Sequence, residues 1–301
     1  MFEIQEFPSE GALLRGRLYR PLDARPAPVV VMAHGTSATI PMVTDRYAEV
    51  FQEAGLAVFL YDHRNFGSSD GEPRQEINPW VQARGYRDAM TFVGSLAGID
   101  SGAIAIWGDS YSAAEVLVVG AVDERVAAVV AQVPACGPVL PTPDPDGSVF
   151  AAMRDTLLHG EIGGETEGTT DGPMPVVSAD QLNTPSLLSP IQAFRWFMEH
   201  GGRHGTGWEN RATRVTPSTP APFHAGIASP HLHHPLLMMI APEDEMPGAN
   251  PEISGAAYRA VPGSKELIEI EGGHFGLLWH PSDLFDQASQ AQRDFLVRNL
   301  V

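Results

Sequence analysis

The run Ile104-Ala105-Ile106-Trp107-Gly108-Asp109-Ser110-Tyr111-Ser112-Ala113-Ala114 sets a serine between a compact apolar segment and a stretch of small residues. The apolar half reads as a buried strand and the second half as the opening of a helix. A sharp turn between the two forces the central residue into a sparsely populated backbone conformation and lifts its hydroxyl above the sheet edge. Residues two positions to either side must then be small. Gly108 and Ser112 meet that condition, although Ser112 stands where the G-x-S-x-G pattern has glycine. Free N–H groups at the start of the helix, with the positive end of its dipole, favour an oxyanion, and Tyr111 N–H is the first expected donor. The plainer alternative is a helix cap in which Asp109 or Ser110 serves only as the capping side chain.

Outward from this turn, strand and helix patterns alternate. Phe2 to Phe7 and Leu13 to Tyr19 read as an antiparallel hairpin at a sheet edge. Val29 to Ala33, Ala57 to Tyr61, Ala103 to Trp107 and Val126 to Val133 are compact apolar runs, as expected of strands covered on both faces. Helical patterns at Asp45 to Ala54, Trp80 to Leu96 and Ala113 to Val122 separate them, each long enough to cross back over a sheet. The fold class is therefore α/β, a mostly parallel central sheet with helices on both faces. From Gly137 to Ser229 the rhythm breaks into Pro, Gly, Ser and Thr with short apolar pieces. That length, without strand periodicity, predicts a partly helical inserted lid. Alternation resumes with strands at Leu236 to Ile240 and Glu266 to Ile270, and helices at Glu252 to Ala260 and Leu284 to Leu300. The expected division is a core of residues 1–136 and 230–301 with a lid of residues 137–229 between strands 6 and 7.

At 301 residues the chain can bury one large core. Its 19 Lys and Arg against 37 Asp and Glu leave a formal charge of −18, which repels phosphate backbones and anionic headgroups. Nucleic acid and membrane are not expected partners. Cys136 is the single cysteine, so an internal disulfide and a thiolate zinc site are both excluded. The start has no basic segment followed by an apolar one, and no stretch approaches 18 uninterrupted apolar residues, which predicts a soluble, cytoplasmic protein.

Chemistry at Ser110 needs a base, a carboxylate to orient it and a second oxyanion donor. His34-Gly35-Thr36 follows the first apolar strand, and its glycine lets the backbone approach a ligand closely. Thr36 N–H is the second expected donor, with His34 and Gly35 supporting the loop. Acid and base should come from loops after later strands. Those loops are Ala241-Pro242-Glu243-Asp244-Glu245-Met246-Pro247 and Glu271-Gly272-Gly273-His274-Phe275. They offer Glu243, Asp244 or Glu245 as acid and His274 as base.

With these residues assembled, the sequence resembles the α/β-hydrolase superfamily. The resemblance rests on the order Ser110, Asp244, His274, on the His34-Gly35 loop and on Asp62-His63-Arg64-Asn65-Phe66-Gly67-Ser68-Ser69. The last is similar to the family's D-x-R-G-x-G-x-S turn, with Asn65 where glycine is usual. It implies Asp244 as the acid and Arg64 as a brace for loops. Tyr61 to Gly71, Pro79-Trp80, Ile106-Trp107-Gly108 and Ala131-Gln132-Val133-Pro134 further resemble a branch containing polyketide-releasing thiohydrolases and acyltransferases, with X-Pro dipeptidyl-peptidase-like domains as more distant relatives. Serine at the elbow argues against the aspartate-dependent members of the superfamily.

The expectation is a serine hydrolase acting on a small ester or thioester, without metal or organic cofactor, as monomer or homodimer. An acyltransferase, an amidase or peptidase, and a silent scaffold used for binding are the alternatives. Phe194, Trp196 and Phe197 form an aromatic stripe that packs the lid or lines an acyl pocket. His231, His233 and His234 read as a surface loop, not a metal site, for want of a nearby carboxylate. His200 and His204 read as solvated lid residues, and Gly160 to Gly172 lacks the lysine of a phosphate loop.

Overall fold

The computed structural model describes residues 1–22, 26–162 and 168–301. Eight strands form one sheet: β1 (Phe2–Ser9), β2 (Ala12–Tyr19), β3 (Ala27–Ala33), β4 (Ala57–Tyr61), β5 (Ile99–Asp109), β6 (Val126–Gln132), β7 (Leu236–Ile240) and β8 (Lys265–Glu269). Their order is β1-β2-β4-β3-β5-β6-β7-β8. The β1–β2 and β2–β4 pairs are antiparallel, and every other pair in this sheet is parallel. All five residues of β4 and of β7 are buried, which explains why these strands read as unbroken apolar runs.

The accompanying longer helices are α1 (Thr44–Glu53), α2 (Pro79–Gly94), α3 (Ser110–Val122), α4 (Ser148–His159), α5 (Ile191–His200), α6 (Pro251–Ala260) and α7 (Asp283–Leu300). Strand periodicity sorts β3 between two cores: Val29 and Val31 pack with α2 and α3, while Val30 and Met32 pack with α1 and α7. Local chemistry sets the helix starts. Asn78 accepts from Trp80 N at 3.1 Å and Val81 N at 3.4 Å, with Pro79 in the first helical position. Ser282 Oγ accepts from Phe285 N at 3.1 Å to open α7. Helix α7 is then fixed across the sheet by a buried chain in which Trp107 Nε1 donates to Gln292 Oε1 at 2.6 Å and Gln292 Nε2 donates to Gln132 Oε1 at 2.5 Å.

The segment between β6 and β7 differs from expectation in having strands. Gly168–Met174 and Ala212–Pro217 pair antiparallel, and Ala212–Pro217 also pairs parallel with Glu76–Ile77, giving a second, three-stranded sheet. Glycine, proline and polar residues in Gly168–Met174 hide its strand character; the pairing is supplied by Ala212–Pro217, which buries Ala212, Val215 and Pro217. Because Glu76–Ile77 belongs to the core part of the chain, this small sheet crosses the expected 137–229 boundary. Further ties cross it too: Asn78 Nδ2 donates to Ile162 O at 2.7 Å, and Arg84 donates to the carbonyls of Leu157, Thr156 and Gly160 at the end of α4. Within Gly160 to Gly172, residues 163–167 lie outside the described residues.

Among the described residues no helix is long and apolar enough to cross a membrane, and no group of three or more His, Cys, Asp and Glu is placed to hold a metal ion. His231 stacks on Phe150 with ring centroids 3.8 Å apart. His204 is exposed, but His200 is not the solvated residue its sequence suggests. It ends α5 with 1% exposure, between Trp196 and Trp279 at ring-centroid distances of 5.2 and 5.0 Å.

Burial, with a smaller contribution from the Arg203 charge, pushes the His200 imidazole down to about 4. The unfolded chain takes up a proton near pH 6.5 while the folded chain stays neutral there. Stability present above pH 6.5 is therefore lost as pH falls from 6.5 towards 4, at up to about 1.4 kcal/mol per pH unit from this one site. Urea unfolding at stepped pH is expected to show a shallower pH slope for His200→Leu than for the unaltered protein; equal slopes contradict the assignment.

Candidate active site

Strand β5 runs without interruption into α3, and the residue at the junction, Ser110, has φ +53°. An L residue reaches that conformation only under constraint. Two close approaches supply it. Gly108 has the Ser112 carbonyl where a side chain would begin, and a Cβ on Gly35 would lie 2.5 Å from Asp109 O and 2.8 Å from Ser110 Cβ. The side-chain-free loop after β3 thus lies directly against the turn.

The loops after β7 and β8 meet Ser110 from the side. Gly272 and Gly273, both at positive φ, bend the chain so that His274 points back over the sheet edge. His274 Nε2 lies 2.9 Å from Ser110 Oγ, and Nδ1 lies 2.7 Å from Asp244 Oδ2. The carboxylate can only accept, so Nδ1–H donates to it and the Nε2 lone pair faces the hydroxyl. The side chains of His274 and Asp244 are each 2% exposed. Asp244 is itself anchored, with Oδ1 accepting from Met246 N at 2.9 Å. The three acids of this loop separate cleanly. Glu243 is exposed, and Glu245 Oε2 accepts from the His274 backbone N at 2.9 Å, clamping the two loops without touching the imidazole ring nitrogens.

The loop His34-Gly35-Thr36 is held at two points. Gly35 N donates to Asp109 Oδ1 at 3.0 Å, and the His34 ring has Nε2 3.0 Å from Met42 O and beside the Thr44 hydroxyl. His34 is accordingly placed to brace the loop, not to reach Ser110. Tyr111, the second residue of α3, lies in the helix turn whose N–H groups have no intrahelical acceptor. Burial raises the Tyr111 phenol above its ordinary range, so the residue stays neutral beside Ser110. Asp62 ties the next part of the loop down, accepting from Ile40 N and from Ser68 N and Oγ, each at 2.9 Å. Arg64 donates to Glu10 O, Asn65 Oδ1 and Glu72 O, and Asn65 adopts φ +77°, a conformation asparagine tolerates where glycine is usual.

A cavity of about 20 Å³, room for about one water, lies over Ser110. Beside Gly35, Thr36, Asp109, Ser110 and His274, its walls are Ala38, Leu188, Trp196, Phe197, Met246, Phe275 and Leu278. Trp196 and Phe197 of the expected aromatic stripe are therefore at the site, and Phe194 is not among its walls. Met246, Phe275 and Leu278 carry no motif of their own beyond their neighbours Asp244 and His274, and nothing in the sequence marks Leu188. Trp196 Nε1 donates to Leu278 O at 2.8 Å and Thr39 Oγ1 donates to Thr206 O at 2.8 Å, so the insert is docked on both sides of the cavity.

The strand order, the antiparallel edge and a serine at the β5–α3 elbow define the α/β-hydrolase fold. Two solved structures superpose on essentially the whole chain. The α/β hydrolase GrgF from Penicillium sp. sh18 does so with TM-score 0.73 at 26% identity, covering 100% of this chain and 99% of its own; DcsB in complex with its substrate analogue gives 0.72 at 22%, with the same coverage. Residues 10–141 match the family described as X-Pro dipeptidyl-peptidase (S15 family). The thiohydrolase aneE of Aspergillus aculeatus is 42% identical over 132 residues, 44% of this chain and 41% of its own. The quorum-quenching protein AidA of Acinetobacter baumannii is 37% identical over 129 residues, 43% and 42% of the two chains. The chain thus spans about two-fifths of the length of the curated relatives it matches.

Replacing Gly35 by Ala is expected to push the loop off the elbow, since the new methyl meets backbone at 2.5 Å. Labelling of Ser110 by a fluorophosphonate should slow by about 100-fold, the scale of losing one oxyanion donor. An unchanged labelling rate contradicts the close approach.

Proposed function

We propose that the protein is a serine hydrolase that cleaves a carboxylic ester or thioester through an acyl-enzyme. The observation that carries this is the unbroken hydrogen-bonded chain from Ser110 Oγ through His274 to Asp244, with both partner side chains buried. Ser110 attacks the carbonyl carbon as His274 Nε2 takes its proton, and Asp244 stabilises the imidazolium that forms. Thr36 and Tyr111 N–H groups donate to the carbonyl oxygen as it takes up the negative charge. His274 then protonates the departing alcohol or thiol, and a water activated by the same imidazole releases the acid.

The apolar walls over Ser110 favour an apolar acyl group and strengthen the electrostatics of the site by excluding water. Acyl transfer to an alcohol or amine is the second reading. It is favoured by relatives named polyketide transferase, such as claH of Penicillium crustosum at 39% identity over 128 residues. A soluble, cytoplasmic location and a small-molecule substrate fit the sequence, as does action without a cofactor.

Turnover of a series of p-nitrophenyl esters and matched thioesters of increasing chain length tests the proposal. Ser110→Ala is expected to lose at least about 1,000-fold in kcat and Asp244→Asn about 10,000-fold, the latter through the wrong imidazole tautomer. Glu243→Gln, at an exposed side chain, should stay within about twofold. Undiminished turnover by Ser110→Ala refutes the mechanism, and product analysis with added alcohols or amines separates hydrolysis from transfer.

A further inference from the structure

Ser112 occupies the position where the elbow pattern has glycine, and its hydroxyl is the meeting point of a buried network. Ser112 Oγ lies 2.7 Å from His34 O, 2.8 Å from His63 Nε2 and 2.9 Å from Glu115 Oε2. Ser112, His63 and Glu115 are 1%, 4% and 0% exposed. Proton counting fixes the arrangement. A hydroxyl has one proton and a carbonyl can only accept, so Ser112 donates to His34 O. The contact to Glu115 then requires a proton on that carboxyl, and the contact to His63 requires the Nε2–H tautomer. Burial pushes the Glu115 carboxyl well above the usual carboxylate range, with Asp109 adding to the effect, and pushes His63 down to about 3. Both groups are thus neutral, and each has a proton to give to Ser112 Oγ.

The two segments joined by this hydroxyl are those that carry the oxyanion donors. His34 lies two residues before Thr36, and Ser112 directly follows Tyr111. Glycine at position 112 satisfies the packing of the turn but leaves the two segments without this tie.

We propose that Ser112 is a positioning residue whose hydroxyl, backed by Glu115 and His63, holds the Thr36 and Tyr111 N–H groups at the spacing the oxyanion needs. The inference rests on the serine-hydrolase reading above.

The test is steady-state turnover of the best p-nitrophenyl ester, with kcat expressed per active site counted by fluorophosphonate labelling to completion. Ser112→Ala is expected to lower kcat by about 10- to 100-fold with KM within about twofold, because a small misplacement of the donors weakens only the transition state. Affinity for a trifluoromethyl ketone, whose adduct carries the same oxyanion, should fall in parallel. If Ser112→Ala does not fold, Ser112→Gly, the residue the elbow pattern has there, removes the hydroxyl without adding bulk and makes the same comparison. The proposal is overturned by a kcat of the hydroxyl-free variant within about twofold of the unaltered protein, by a change confined to KM, or by unchanged affinity for the ketone. These outcomes, with Ser110→Ala inactive, leave the hydrolase reading standing; turnover by Ser110→Ala removes both.

Discussion

The approach of a bare backbone, Gly35, to a strained backbone, Ser110, is the constraint on which the rest of the site depends. A residue at φ +53° returns to a relaxed conformation unless its surroundings forbid it. Here the prohibition comes from below and from the side: β5 is clamped between β3 and β6, α3 starts without an intervening loop, and the His34-Gly35 segment fills the space into which the turn would relax. Ser110 is therefore presented by the sheet itself, and the loops after β7 and β8 have only to bring His274 and Asp244 to a fixed point.

Much of this was legible in the sequence because it follows from local rules. The apolar runs of β3, β4, β6 and β7 announced buried parallel strands, and the small residues around Ser110 and the glycines before His274 announced sharp turns. Choosing Asp244 over Glu243 and Glu245 lay beyond such rules. All three are carboxylates on one loop, and the structure distinguishes them by direction alone: one faces solvent, one a ring nitrogen and one a backbone amide. The walls of the cavity were equally hidden, since Met246 and Leu278 read as ordinary apolar residues and Leu188 comes from the insert, and only the folded chain brings them over Ser110. His200 was misjudged for the same reason. The glycines after it suggest exposure, yet Trp196, one turn earlier on α5, and Trp279, from a distant part of the chain, enclose it.

Polar groups beneath the elbow follow a different logic from those at its surface. Asp244, His274 and Ser110 form a single line of hydrogen bonds that opens onto the cavity. On the buried side of α3, Ser112 and Glu115 meet His63 in a network of neutral groups whose protons are already committed, an arrangement that avoids burying charge and gains geometric definition. The first turns of one helix thus face a cavity on one side and a closed polar frame on the other.

The pairing of Glu76 with Thr213 also bears on how the chain reaches its final form. These partners are far apart in sequence, so the small sheet closes only once the whole stretch between them is in place. Closing so long a loop is slow and carries an entropy cost that local contacts do not offset. The small sheet that ties the insert to the core is thus a long-range pairing, of the kind that forms more slowly than a local hairpin such as β1–β2.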